Sequence, residues 1–204
     1  MGHKFAELAF TPKVKVTQEQ HGSRRAYSRM EEGNDHHDVL GPNEAGFIAS
    51  RDSFYMATVS ETGGPYIQHR GGPAGFVRVL DNKTIGFADF RGNRQYVSVG
   101  NLKTEDRVSL FLMDYPNRAR LKILGRARIV DGNDKDTLGR LSMPEYNAQV
   151  ERGILISIEA FDWNCPQHIT PRFTLAEIEE STAPLRQRIA ELEKALQLKA
   201  PDAR

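Results

Sequence analysis

Residues 54–70 read FYMATVSETGGPYIQHR, and this stretch decides the fold. Phe54 to Ser60 is an apolar run rich in aromatic and β-branched side chains, which suits a pleated strand. Glu61-Thr62-Gly63-Gly64-Pro65 is a turn, and Tyr66 to Arg70 returns, so the two runs form a hairpin. Working outward, Phe76 to Leu80, the turn Asp81-Asn82-Lys83, and Thr84 to Phe90 give a second hairpin. Val108 to Met113 is a buried-strand pattern. In Arg120 to Val130, Leu121, Ile123, Ala127 and Ile129 alternate with Lys122, Arg126 and Arg128, and Ile154, Ile156 and Ile158 alternate in the same way. Six or seven strands with few helices between them imply an antiparallel sheet closed into a barrel, which removes exposed edges.

Three segments follow. Residues 1–45 are a polar, turn-rich extension with a short helix over Arg24 to Glu32; residues 46–172 are the barrel; residues 173–204 are helical. A further short helix is expected at Ala45 to Arg51, and helical patterns interrupt the strands at Arg94 to Thr104 and Asp134 to Ser142. From Thr174 the chain is rich in Ala, Glu, Leu, Arg and Lys, and Pro184 is expected to restart the helix at a first-turn position. Leu185, Ile189, Leu192 and Leu196 make one apolar seam. Two heptads are short for an isolated coiled coil, so the seam is expected to pack on a partner subunit or on its own barrel.

Composition narrows the function classes. Of 204 residues, 28 are Lys or Arg and 27 Asp or Glu, a net charge of +1 that argues against a nucleic-acid binder. A single cysteine excludes an intrachain disulfide and a Cys-based zinc finger. No apolar run approaches a membrane span, and the start, Met1 to Phe5, lacks the apolar stretch of a secretory signal. The expected compartment is the cytoplasm. Asp35-His36-His37-Asp38 has metal-ligating side chains, but adjacent histidines on a polar loop rarely converge on one ion. Walker, dinucleotide-binding and nucleophile-elbow motifs are absent.

Four clusters carry hydrogen-bonding chemistry. Residues 87–96, FADFRGNRQY, run from a strand through a glycine turn toward a helix, with Asn93 as N-cap and Arg94 and Gln95 in the first turn. Arg94 there either meets an anion with its forked donors or pairs with Asp89 or Asp106 at the surface. Gln68-His69-Arg70-Gly71-Gly72 ends a strand, and its glycines either admit a flat ligand or simply make a loop. Arg118, Arg120 and Lys122 share one strand face, solvated or set against an electron-rich group. The fourth cluster, Trp163-Asn164-Cys165-Pro166-Gln167-His168-Ile169 and then Arg172, is stiffened by Pro166 and Pro171.

On these residues the chain resembles the pyridoxamine 5′-phosphate oxidase superfamily of FMN-binding split barrels, in the branch of predicted flavin-nucleotide-binding proteins. The resemblance covers about residues 45–172, and its specific runs are Phe90 to Gln95 and Asn164 to Ile169. It implies an FMN-binding oxidoreductase, or else a flavin carrier or redox sensor, or a split barrel using a deazaflavin or haem. The family strand along the flavin ring matches Gln68, His69, Arg70 and Gly71, and the next strand end matches Ala88, Asp89 and Phe90. The Ser-Arg-Lys triplet that holds the FMN phosphate matches Asn93, Arg94 and Gln95, with Gln in place of Lys. A glutamine contributed by the neighbouring subunit matches Arg120. The resemblance thus implies a homodimer with the flavin at its interface. Trp163, Gln167 and His168 would face the ring, the alternative being a crossover packed on the barrel. The Arg-x-His segment that grips the substrate of true pyridoxamine-phosphate oxidases has no match, so a different small substrate is expected.

Overall fold

The computed structural model describes residues 2–163 and 165–199. Four helices come first: α1 (Lys4–Ala9), α2 (Pro12–Gln20), α3 (Arg24–Glu32) and α4 (Pro42–Ala49). The strands are β1 (Ser53–Val59), β2 (Pro65–Gly71), β3 (Arg78–Asp81), β4 (Thr84–Phe90), β5 (Arg107–Asp114), β6 (Ala119–Val130) and β7 (Val150–Trp163). Helix α5 (Val97–Asn101) lies between β4 and β5, α6 (Lys135–Leu141) between β6 and β7, and α7 (Leu175–Lys199) follows β7. Every pairing is antiparallel, and the sheet order is β2-β1-β5-β6-β7-β4-β3.

The hairpin at residues 54–70 forms as its sequence requires, from Ser53↔Gly71 to Val59↔Pro65. The sheet then curls until its edge strand β2 meets β4. No ladder joins those two strands; side chains do. Arg70 on β2 pairs with Asp89 on β4, and Phe54, Phe76 and Phe87 pack together beneath them. The barrel is therefore split at this seam, and the split is where a site can form.

The core is supplied by the inward faces of β1, β4, β5, β6 and β7, including Met56, Ile85, Leu110, Leu112, Ile123 and Ile156. The expected alternation of Ile154, Ile156 and Ile158 holds, but Leu155 on the opposite face is buried too. Leu141 of α6 covers that end of the sheet and forms a second small cluster with Ala88, Val130 and Leu155. At Gly125 the β6–β7 ladder shifts register, and a Cβ there would lie 2.5 Å from the Ser157 carbonyl oxygen. Only glycine allows that approach.

Three expectations are corrected. The polar N-terminal extension is more helical than its composition suggests: α1 packs on β7, and Thr11 caps α2 ahead of Pro12. Pro184 does not restart a helix but lies inside α7, which is continuous over 25 residues. That helix starts on a reciprocal cap instead, in which the Glu177 amide donates to Thr174 Oγ1 and the Thr174 amide donates to Glu177 Oε2. Arg118 sits in the β5–β6 turn with φ 52°, so it does not share a strand face with Arg120 and Lys122. Among the described residues the apolar seam of α7 is exposed and does not pack on its own barrel. No helix of the described chain is long and apolar enough to cross a membrane.

The anchoring of α1 has a pH signature. His3 is only 6% exposed and stacks on His37 with ring centroids 4.0 Å apart. Burial, and then the neighbouring His37, hold its pKa below the ordinary 6.5. The unfolded chain therefore takes up a proton that the folded chain refuses. Stability is full above about pH 6.5 and falls as acid is added below it, levelling off once pH passes the folded value. Melting temperature should thus fall between about pH 7.5 and pH 5, and His3→Gln should flatten the dependence. Parallel slopes for the two proteins would refute the assignment to His3.

Candidate functional site

A cavity of about 460 Å³ opens at the split, between the far end of β2, the end of β4 and the turn that leads into α5. Its lining includes Gln68, His69, Arg70, Asp89, Phe90, Asn93, Arg94 and Gln95. An adjoining hollow of about 240 Å³ shares the first five of these and adds Gly71 and Ala88. The fold thus brings together the sequence-predicted residues of three separate segments, 68–71, 88–90 and 93–95.

Strand alternation decides what β2 offers. Tyr66, Gln68 and Arg70 are half-buried on one face, while Ile67 and His69 are exposed on the other. Gln68 Oε1 accepts a hydrogen bond from Ser98 Oγ at 2.8 Å, which ties α5 to the strand. His69 stands edge-on to Tyr55 at 5.6 Å. The glycine after the strand acts differently from its expected role. A Cβ on Gly72 would lie 2.8 Å from the Phe76 ring, so the close approach there is made by a core aromatic.

Asp89 is the charge at the centre of the site. It is 6% exposed, and its Oδ1 lies 2.5 Å from Arg70 Nη1. The ladder sets Asp89 opposite Arg152 of β7, whose Nη1 lies 3.5 Å from Oδ2. Two guanidiniums thus share one carboxylate. Arg70 Nε is buried without a hydrogen-bond acceptor, and Arg152 Nη1 has only its 3.5 Å ion contact with Asp89. Arg152 also pairs through Nη2 with Glu151 at 2.8 Å, so the two guanidiniums meet two carboxylates, and the buried Arg70 Nε is left as a donor for an acceptor on a ligand.

The turn at residues 91–96 differs from its expected form. Asn93 does not cap a helix. Its Oδ1 accepts from the Gln95 amide at 3.2 Å, a local turn that competes with helix formation. Arg94 and Tyr96 both adopt left-handed backbone, with φ 63° and 55°, and the helix starts only at Val97. Arg94 and Gln95 therefore lie outside the helix, and α5 is a single short turn. Any anion held here is held by side chains rather than by a helix terminus.

Those side chains form a chain of contacts. Arg94 Nε donates to the Tyr96 hydroxyl at 3.3 Å, which in turn donates to Glu151 Oε1 at 3.0 Å. Arg91 Nε donates to the same oxygen at 3.1 Å. Burial works to raise the Glu151 carboxyl, but hydrogen bonds from Arg91 and Tyr96 and the charges of Arg152 and Arg91 hold it below the usual value. Glu151 and Tyr96 line the cavity, and sequence reasoning misses both as site residues. Glu151 reaches the site only through the β4–β7 ladder, and no local pattern marks it.

Four sequence-predicted residues lie elsewhere in the protomer. Trp163 donates from Nε1 to Glu44 at 2.8 Å and stands edge-on to Phe47, so it packs against α4. Gln167 and His168 are exposed in the loop after β7, and Asn164 lies outside the described residues. Arg120 rests 5.7 Å from the Phe111 ring, with its buried Nε unpartnered. Neither Trp163, Gln167, His168 nor Arg120 lines the cavity of its own chain. Among the described residues, no cluster of His, Cys, Asp and Glu could hold a metal ion.

The family model described as pyridoxamine 5′-phosphate oxidase matches residues 40–165, more than half of the chain. Among solved structures, a putative pyridoxamine 5′-phosphate oxidase from Lactobacillus delbrueckii is 19% identical over 61% of this chain and 94% of that one, with a TM-score of 0.46. HupZ from Group A Streptococcus is 16% identical over 66% and 100%, with a TM-score of 0.45. An FMN-binding protein from Syntrophomonas wolfei is 15% identical over 58% and 81%, with a TM-score of 0.45. No curated protein matches the sequence.

Proposed function

Because the chain belongs to the pyridoxamine 5′-phosphate oxidase family, we propose that it binds FMN at the split of its barrel and acts as an oxidoreductase on a small substrate. The observation that carries this reading is the pair of guanidiniums set into a cavity whose carboxylates, Asp89 and Glu151, are already engaged by other side chains. Arg70 and Arg94 line it, the buried Arg70 Nε has no acceptor, and Arg94 contacts the Tyr96 hydroxyl rather than a carboxylate. A ligand with a phosphate and a flat, hydrogen-bonding ring suits that donor set.

FMN supplies the redox chemistry when bound, and the protein supplies placement and charge. Arg94, exposed and anchored only through Tyr96, holds the phosphate. Asn93 and Gln95 frame it from the same turn. Gln68, His69, Arg70 and Gly71, with Ala88, Asp89 and Phe90, bound the ring. Within that wall Asp89 acts by keeping Arg70 in place. Arg120, Trp163, Gln167 and His168 complete the site from a second copy of the chain, in a homodimer. Their positions away from their own cavity support that division.

Titration with FMN and with riboflavin tests the reading. Hydrogen bonds between a guanidinium and a phosphate are among the stronger ones, so Arg94→Ala should weaken FMN about tenfold or more. Riboflavin, which has no phosphate, should bind both proteins equally. Equal weakening of both ligands would remove Arg94 from the phosphate. The same titration with a deazaflavin and with haemin decides between cofactors. Reduction of the loaded protein by NADH or NADPH, or its absence, separates an oxidoreductase from a carrier or sensor.

A further inference from the structure

Helix α7 has no partner among the described residues. No other element packs along it, and its seam is bare: Leu185 is 66% exposed, Ile189 55%, Leu192 47% and Leu196 68%. A helix of 25 residues spans about 37 Å. An apolar stripe of that length left in water is a binding surface rather than scattered exposure.

The stripe is longer than two heptads. Ile178 and Leu175 continue it toward the N-terminus, exposed at 43% and 79%. With Thr182 between them and Leu185, the seam advances by three and four residues in strict alternation from Leu175 to Leu196. That is three heptads in one phase. Pro184 stands on the outer face of this phase, so its ring does not enter the seam. Ile189 with Leu185 and Leu192 gives the β-branched and leucine layers that favour two strands.

Charge chooses the occupant and its direction. The flanking positions are Glu179, Arg186 and Glu193 on one side and Ser181, Arg188 and Ala195 on the other. In a parallel pair, Arg188 of each helix faces Glu193 of the other, giving two attractive contacts. An antiparallel pair in full overlap instead sets Arg186 against Arg186 and Glu179 against Glu193. Arg188 in the protomer contacts Glu191 on its own exposed surface, a contact of little energetic weight that it can exchange.

We propose that α7 pairs with α7 of a second copy of this chain as a parallel, in-register two-stranded coiled coil. A parallel pair has its two-fold axis along the helices, compatible with a closed dimer of the barrels. The tether matters, because linking raises the effective concentration of a seam that is short by itself. The inference rests on the helix and is independent of the cofactor reading.

Cysteine crosslinking tests it. In the full chain with Cys165→Ser, Ile178→Cys and Leu192→Cys are made separately, with Gln187→Cys on the outer face as control. Homotypic disulfides at both seam positions require parallel, in-register helices. Both seam variants should yield covalent dimers under mild oxidation at least about tenfold faster than the control, since only the seam brings its cysteines within bridging distance. Crosslinking no faster than at Gln187→Cys would overturn the proposal, and so would crosslinking at only one of the two seam positions. These positions are exposed in the protomer, so the substitutions spare its core. FMN titration of the same variants keeps the two readings separate: a crosslinked protein that binds no FMN would sink the cofactor assignment alone.

Discussion

Asp89→Ala is expected to lower the unfolding free energy by about 3–5 kcal/mol, the usual cost of breaking one side of a buried ion pair. Its carboxylate is the acceptor for Arg70 across the split and the counter-charge for Arg152 along the β4–β7 ladder. Removing it leaves the largely buried Arg70 guanidinium without its carboxylate and Arg152 with Glu151 alone, at 2.8 Å. The strands β2 and β4 share no backbone ladder, so this contact is also a large part of what closes the barrel. Asp89→Asn keeps the shape and one acceptor, and should fall between the wild type and Asp89→Ala. Urea unfolding at neutral pH gives the free energies. A loss below about 1 kcal/mol for Asp89→Ala would mean that solvent reaches the pair and screens it. Replacing both partners, as Arg70→Met with Asp89→Leu, should recover much of the stability while abolishing ligand binding, because the desolvation cost goes with the charges.

Phe87→Ala should be comparably severe, costing about 3–5 kcal/mol through lost burial and the cavity left behind. The ring is 1% exposed and stands edge-on to Phe54 at 5.3 Å and to Phe76 at 6.3 Å. Arg70 lies over it at 5.7 Å, so the floor of the site and the core share this side chain. Phe87→Leu retains most of the volume and should cost about 1.5 kcal/mol or less. Denaturant midpoints with unchanged slopes would report the stability change alone. Near-equal losses for the two variants would show that ring geometry rather than volume sets the cost.

Much of the candidate cavity's lining is legible in the sequence because its residues are local. The runs at 68–71, 88–90 and 93–95 each lie at the end of a strand or in the turn after it, where side-chain type and glycine content can be read from neighbours alone. Their convergence on one cavity follows from the sheet order once two hairpins are recognised. Arg94 was legible as a donor but not in its conformation. The helix it was expected to open is displaced to Val97 by the Asn93 turn and by two left-handed residues. Local side-chain hydrogen bonding overrode helix propensity there, a competition between similar small energies.

Sequence by itself determined the antiparallel strands, because alternation of period two records which face is buried, residue by residue. It determined the helical character of α3 and α7 in the same way, from periodicity and composition. The tertiary structure alone decided that Asp89 has two cations, that Glu151 and Tyr96 join the site, and that Trp163 turns to Glu44. Those contacts join residues far apart in the chain, from 19 positions for Arg70 and Asp89 to 119 for Trp163 and Glu44. They depend on ladder register and on how far the sheet curls, and these are set by the packing of the whole core rather than by any local pattern.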